Sequence, residues 1–491
     1  MRWLLLVALT VQFMVALDMS VVNVALPDMR TGLGFTAEGL LWVVNAYALA
    51  FGGLLMLGGR LSDLLGSRPV LTAGLVLFGV ASLAGGFARS PGALIAARAV
   101  QGVGAAALAP VAFALIAIAF PAGPARSRAL GLWGMAGAAG GAVGVLAGGL
   151  LTDVAGWRAV MLVNVPIVAL ALVASLRTGP VAGPVRTGAR LDVAGALLAT
   201  GGTTLLVLGL VGTSNHPWGS ARTLAVLGGA ALLLAAFVAV ELRTASPLLR
   251  PGLLRGRPVL TANLFCLLLS SGQFAAFYFV SLCLQQVFGY GPTAAGAAFL
   301  PFCAGVVAGS VIATRTVARL GTRRLLATGG ALAALGIAGF AATARTDGTF
   351  LVSILGPSLV ASVGIGMCFV PLGTAATTDV TPGETGMASG LLNSARQVGG
   401  SLGLAVLVTV AAQVTGEGAG RGELVRGYAA AFWVAAGLLA LASLAALVLL
   451  PGDRDRGSAT ETAPVADPEN PPKNSAGGVD PAVAPSTRTG S

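Results

Sequence analysis

Histidine is nearly absent from this chain; His216 is the only one. Histidine-based zinc sites and histidine proton relays are thereby excluded. Lysine is as scarce: Lys473 stands alone and every other basic residue is arginine. The four cysteines, Cys266, Cys283, Cys303 and Cys368, fall in or beside separate apolar runs with no metal-ligand spacing, so free buried thiols are expected and no metal site. No nucleophile with a base beside it can be assembled, which leaves an enzyme without residues. Charge itself is rare, at 10% of the chain.

What fills the chain is apolar: 56% hydrophobic residues and a mean hydropathy of +0.88. Runs of about 20 apolar residues recur throughout, each long enough to cross a bilayer as a helix. They do not alternate, which excludes a transmembrane barrel. The 71 glycines read as helix-packing and hinge material in lipid. Fourteen spans are expected at 3–27, 38–58, 69–88, 92–118, 128–151, 158–177, 191–212, 222–241, 259–281, 293–314, 325–343, 350–376, 386–413 and 428–450. Turn chemistry such as "GSRP", "FPAGPARS" and "FGYGP" separates them. The start "MRWLLLVALT" looks like a signal peptide, but its apolar segment continues to Pro27, too far for a signal core, and it is expected to stay.

The net charge of +11 would suggest nucleic acid in a soluble protein. Its placement says otherwise. With the N-terminus inside, 20 basic residues fall in inner loops and tails and 7 in outer loops, and Arg98 and Arg396 lie within spans. That bias is a topology signal and puts both termini in the cytoplasm. From 451 onward the chain turns to Pro, Gly, Ser, Ala and charge, a disordered tail by composition. Two inner loops, "GGRLSDLLGSRPVL" and "TRTVARLGTRRLL", resemble each other and suggest two halves of like topology.

Asp18 is the acidic residue deep in a span; Asp192 and Glu241 sit near inner ends, within expected reach of water. A carboxylate near the bilayer centre costs on the order of 3 kcal/mol and marks a functional site. Helical rise places Asp18 about 13 Å below the outer end of the first span and Arg98 about 10 Å below the same side on the fourth. The two are expected to face a watery cavity and to pair, directly or through water.

The GxGxxA within "RAVQGVGAAALAP" has no preceding strand and no acidic partner, so a dinucleotide site is rejected. Gly140, Gly144 and Gly148 recur every four residues and form one close-packing face. Asn393, Arg396 and Gln397 lie within the thirteenth span and serve either substrate or interhelical hydrogen bonds. Asn23, Asn45, Asn263 and Gln273 are read first as packing hydrogen bonds. Phe265, Phe274, Phe277 and Tyr278 line an apolar substrate site or face lipid.

On these residues the chain resembles the major facilitator superfamily, and within it the fourteen-span drug:proton antiporters. "ALDMSVVNVALP" is similar to that family's first-helix motif, at Leu17, Asp18, Val21, Val22, Asn23, Ala25, Leu26 and Pro27. "GGRLSDLLGSRPVL" resembles the superfamily's loop motif, at Gly59, Leu61, Asp63, Gly66 and Arg68. "RAVQGVGAA" is similar to the fourth-helix motif through Arg98, Gln101 and Gly102. The glycines Gly140, Gly144, Gly148 and Gly149 resemble the fifth-helix antiporter motif, "WRAVMLVNVPI" the stretch after it, and "GMASGLLNSARQVGGSLG" the thirteenth-helix segment. Val145 stands where the antiporter motif usually has proline, Leu64 where the loop motif has a basic residue, and Ala318 at the acidic position of the second loop.

The resemblance implies an all-α polytopic membrane protein with the major facilitator fold: an N-terminal six-helix bundle (1–190), two extra linking helices (191–257), a C-terminal six-helix bundle (258–450) and a cytoplasmic tail (451–491). It implies export of a lipophilic or cationic small molecule from a bacterial-type plasma membrane by a monomer, driven by protons and without a cofactor. Asp18 would bind a proton or cationic substrate, with Arg98, Asn23 and Gln101 beside it. Gly59, Asp63, Gly66 and Arg68 would form the gating loop. Asn263, Gln273, Phe277, Tyr278, Asn393, Arg396 and Gln397 are cavity candidates. A carrier for one specific metabolite, and more remotely a non-transporting sensor, are the other readings.

Overall fold

The computed structural model describes residues 2–450 except 121–123, 179–191, 214–215, 217, 245–251, 254–255, 347, 379, 381–384 and 417–419. The expected tail lies outside the described residues. Among those residues there is no strand, and fourteen helices are long and apolar enough to cross a membrane. In chain order the elements are α1 (Arg2–Leu33), α2 (Ala37–Leu65), α3 (Ser67–Gly86), α4 (Pro91–Ala119), α5 (Pro124–Ala155), α6 (Trp157–Leu162), α7 (Asn164–Leu176), α8 (Val193–Gly212), α9 (Ala221–Arg243) and α10 (Arg257–Leu282). They continue with α11 (Pro292–Ala298), α12 (Leu300–Thr343), α13 (Gly356–Ala376), α14 (Thr385–Thr415) and α15 (Arg421–Leu449).

Two six-helix bundles result. In the first, α1 packs on α5, and α4 lies between α2 and α3; in the second, α12 packs on α13 and α15, and α10 on α14 and α15. The bundles meet where α2 lies on α14 and α5 on α11. The two extra helices do more than link: α8 wedges against both α2 and α14, and α9 packs on α8. Among the described residues α9 is the least enclosed span.

Turn glycines repeat between the bundles. Gly34, Gly66 and Gly156 have φ of +71°, +85° and +77°, and Gly289, Gly321 and Gly416 have +71°, +75° and +72°. Side chains are strained in that region, so glycine is selected. The same number of residues separates Gly34 from Gly289 as separates Gly66 from Gly321. Gly66 and Gly321 also match in ψ, at 152° and 163°. These two glycines sit at the same place in the two related Arg-rich loops.

The structure corrects two expectations. The first span does not end at Pro27; the helix runs through it to Leu33. Proline has no N–H, so the Asn23 carbonyl loses its helical partner. Ser281 on α10 fills that place, donating to Asn23 O at 2.9 Å, and Gln285 Nε2 donates to Val24 O at 3.0 Å. The proline thus releases one backbone acceptor, Asn23 O, and its bond to Ser281 together with the Gln285 bond to Val24 O ties the bundles together. The sixth span runs from Trp157 to Leu176 as expected, and Val163, between α6 and α7, keeps helical φ/ψ of −59° and −26°. Asp192 and Glu241 do not reach water: each is only 5% exposed. Asp192 caps α8 by accepting from Gly195 N at 2.7 Å, and both carboxylates crowd against Gly195, where a side chain has no room.

Candidate functional site

Asp18, on α1, is fully buried, and Arg98, on α4, is 2% exposed. Arg98 Nη1 donates to Asp18 Oδ2 at 2.7 Å. The expected pairing is direct, and the watery cavity around it is absent in this conformation. A buried ion pair persists only when its remaining donors and acceptors are also served, and here groups on α2, α3, α4 and α7 serve them. Arg98 Nε donates to Val43 O of α2 at 3.0 Å, and Nη1 also reaches Gln101 Oε1 at 3.0 Å. Gln101 Nε2 donates to Ser82 Oγ of α3 at 2.7 Å and lies 3.4 Å from Asp18 Oδ1. Asn164 Nδ2, at the start of α7, donates to Asp18 Oδ1 at 2.7 Å.

The local sequence explains the geometry. Arg98 and Gln101 are three apart on α4 and so share a face. One turn on, Gly102 lies against the Tyr47 carbonyl, where a side chain would stand 2.5 Å from that oxygen. Glycine therefore lets α4 approach α2 closely enough for Arg98 to reach Val43. The Tyr47 ring lies 4.4 Å from the Arg98 guanidinium carbon, a cation–π contact on the face the carboxylate leaves open. The Tyr47 hydroxyl is buried without a hydrogen-bond partner. Tyr47→Phe is accordingly expected to leave transport within about twofold of wild type and stability unchanged or raised, because the ring contact stays and an unpaired hydroxyl goes. Tyr47→Leu, which removes the ring, is expected to lower both; parallel transport and thermal-unfolding assays check this.

The other sequence candidates are dispersed. Asn23 is half-buried and donates to Met19 O of its own helix, away from Asp18. A Cβ at Gly59 would meet Pro110 at 3.6 Å, an ordinary contact, and Gly66 makes the turn between α2 and α3, which Ser62 and Ser67 close through their hydroxyls at 3.1 Å. Arg68 is half-buried beside that turn, while the Asp63 side chain lies outside the described residues. Gly140, Gly144 and Gly148 meet the backbone of Phe13, Leu17 and Val21 on α1, and Gly149 turns instead to Pro292 and Thr293 of the second bundle.

Gln397 is 1% exposed at the α2–α14 seam; its Nε2 lies 3.7 Å from Met19 Sδ, and Gly52 makes room for it. Asn45 donates to Ser401 O across the same seam at 3.3 Å. Asn263 donates to Val259 O in its own helix. Asn393 is exposed and bonds Ser389 O, Arg396 and Gln273 are half-buried, and Phe277 stacks on Phe299 at 5.2 Å within the second bundle. Phe265 and Tyr278, 0% and 3% exposed, face core rather than lipid. His216 pairs with Arg222 at 3.1 Å in the α8–α9 connection, far in sequence from the Asp18 site. Among the described residues no group of His, Cys, Asp or Glu could hold a metal.

Sequence reasoning missed Ser82, Tyr47 and Asn164. Asn164 carried a signal: a lone amide within the apolar sixth span, two residues before Pro166.

A family model described as the Major Facilitator Superfamily matches residues 8–404. A cephamycin export protein of Amycolatopsis lactamdurans is 44% identical, with 90% of this chain and 91% of that one covered. A puromycin resistance protein of Streptomyces alboniger is 40% identical, with 94% of each covered. A tetracenomycin C resistance and export protein of Streptomyces glaucescens is 33% identical over 84% of this chain and 77% of its own. Among solved structures, a D-xylose–proton symporter superposes with a TM-score of 0.65 at 14% identity, covering 92% of this chain and 98% of that one. A peptide-bound POT family transporter gives 0.68 at 13%, covering 90% and 95%. Those two likenesses are of fold. With the family model spanning most of the chain and close relatives aligned nearly end to end, this multi-pass membrane protein belongs to the Major Facilitator Superfamily.

Proposed function

We propose that the protein exports small lipophilic antibiotics in exchange for protons, with Asp18 as the proton-exchanging carboxylate and Arg98 as its counter-charge. The observation that carries this reading is the Asp18–Arg98 pair, 2.7 Å apart and sealed among five apolar spans. A charge pair in lipid is costly and retained for function. Arg98 cannot be deprotonated, so the mobile proton belongs to Asp18. When Asp18 is protonated the pair loses its attraction, and substrate or water can compete for Arg98. One proton crossing a total force of about 150 mV supports roughly a 300-fold gradient of a neutral compound.

The working units are the six-helix bundles at 1–190 and 258–450, with 191–257 as the linking pair. Both termini lie in the cytoplasm, and a monomer suffices. The paired turn glycines and the two related loops support that division. In the captured conformation the bundles are tied at the end carrying the α1–α2 loop: Asp153 Oδ2 accepts from Thr293 N at 2.9 Å, besides the Ser281 and Gln285 bonds to α1.

A second reading is favoured by the relatives themselves. Several are named for one antibiotic each, so a carrier dedicated to a single antibiotic made by the cell fits as well as a broad drug exporter. One assay addresses both. Inverted vesicles with an acid interior and a pH-reporting dye are given a β-lactam, puromycin, a lincosamide and lipophilic cations. Proton release by several compounds in wild type and by none in Asp18→Asn is the expected result. Release by one class alone assigns the dedicated carrier. Release that survives Asp18→Asn removes Asp18 from the coupling role.

A further inference from the structure

We propose that Asn164 is a positioning residue that switches hydrogen-bond role with the protonation state of Asp18. The inference rests on the assignment of Asp18 as the proton-exchanging group. Three observations carry it. Asn164 is fully buried and its Nδ2 donates to Asp18 Oδ1 at 2.7 Å, as short as the Arg98 bond to the other oxygen. Its own Oδ1 is buried with no hydrogen-bond partner. Its place lies where the sixth span loses a helical bond: Pro166 has no N–H and cannot bond Leu162 O, although Val163 keeps helical φ/ψ and its N–H bonds Ala159 O.

A buried orphan acceptor is costly, and here it sits on the amide that holds the carboxylate. Ionised, Asp18 only accepts, and Asn164 serves it through Nδ2. Protonated, Asp18 gains an O–H and needs an acceptor. A half-turn of the Asn164 amide about χ2 presents Oδ1 to that O–H, and the orphan acquires its partner. One side chain thus offers Asp18 a partner in both states, its N–H donors giving up theirs in the second, and neither state leaves Asp18 unpaired when Arg98 turns to another ligand. The charged and titratable groups around Asp18 are Arg98 on α4 and Tyr47 on α2. α3 supplies Ser82 through Gln101, and α5 meets α1 here through Gly144. Asn164 is therefore the neutral donor of the set that bonds the carboxylate from outside α4.

The full-length protein, purified in detergent, tests this by infrared titration of the buried carboxyl C=O stretch, assigned to Asp18 by its loss in Asp18→Asn. Asn164→Leu removes a charge-assisted bond from the ionised form and a weaker neutral bond from the protonated form, so the titration midpoint is expected to move up by their difference, about 0.5–1 pH unit. Asn164→Asp keeps the shape but sets two carboxyls within hydrogen-bond reach, which must share a proton, so its midpoint rises beyond that of the leucine variant. A role in packing alone predicts an unmoved midpoint in the leucine variant, since the rise in the Asp variant comes from the added carboxyl whichever role Asn164 plays. A leucine-variant midpoint within about 0.3 unit of wild type, well below one charge-assisted bond, overturns the proposal. A band that persists in Asp18→Asn overturns the assignment of Asp18 as well.

Discussion

Asp18→Asn is expected to destabilise the protein more than Arg98→Gln, and the double variant is expected to be more stable than Asp18→Asn alone. Removing the carboxylate leaves a guanidinium with no counter-charge among apolar helices. Arginine cannot shed its proton, so the cost is that of breaking a buried pair, about 3–5 kcal/mol. Removing Arg98 strands a carboxylate, but a carboxylate neutralises itself by taking up a proton, so the loss is smaller. In the double variant an amide faces an amide, and Gln101, Ser82 and Asn164 remain to complete the hydrogen bonds. Its stability is expected within about 1 kcal/mol of wild type. Transport does not follow stability. All three variants are expected to lose proton-coupled uptake into inverted vesicles by on the order of tenfold or more, the equivalent of at least 1.4 kcal/mol of coupling. Thermal unfolding in detergent and vesicle transport, measured on the four proteins, complete the cycle. If the double variant is as unstable as the sum of the singles, the two residues do not act as a pair.

The site was legible in the sequence where chemistry is rare and illegible where it is ordinary. Asp18 and Arg98 stand out because a charge in an apolar run has no neutral explanation. Their pairing follows from helix direction and rise, since α1 and α4 run oppositely from nearby ends. The number of spans is equally legible, because each must cover the same thickness. Ser82 and Tyr47 are common in spans, and which face of α2 or α3 turns inward depends on packing that no single helix encodes. Hydrophobic periodicity fails here, because lipid and core are both apolar. The Pro27 reading went astray for a related reason. Proline ends helices in water, but in a bundle a neighbouring side chain can take up the carbonyl it frees, as Ser281 does for Asn23. The wedge made by α8 was hidden because its sequence differs little from any lipid-facing span.

Alanine substitutions along α5 are expected to give three different outcomes within one turn or two of helix. At Gly144 the new Cβ would stand 2.7 Å from the Leu17 carbonyl, and at Gly148 2.5 Å from that of Val21. Both force α5 away from α1 and are expected to cost about 1–3 kcal/mol each by overpacking. Gly144 also borders the residue before Asp18, so its substitution is expected to slow transport as well as to lower stability. At Gly141 there is nothing within 4 Å, and alanine is expected to be neutral or to stabilise by up to about 1 kcal/mol through helix propensity. Gly149 differs from both. Its Cβ would meet Pro292 O at 2.5 Å and Thr293 Cα at 2.8 Å, across the seam between bundles. That seam must part during transport, so the protein can relieve the clash by changing conformation instead of losing packing within a bundle. Gly149→Ala is therefore expected to keep its thermal stability near wild type while shifting the population away from the captured state. Spin labels on the exposed positions Val154 and Ala294, in a background without the four cysteines, read that shift as a longer α5–α11 distance. An unchanged distance together with a lowered unfolding temperature would show that the α5–α11 contact is fixed packing, and that the bundles separate elsewhere.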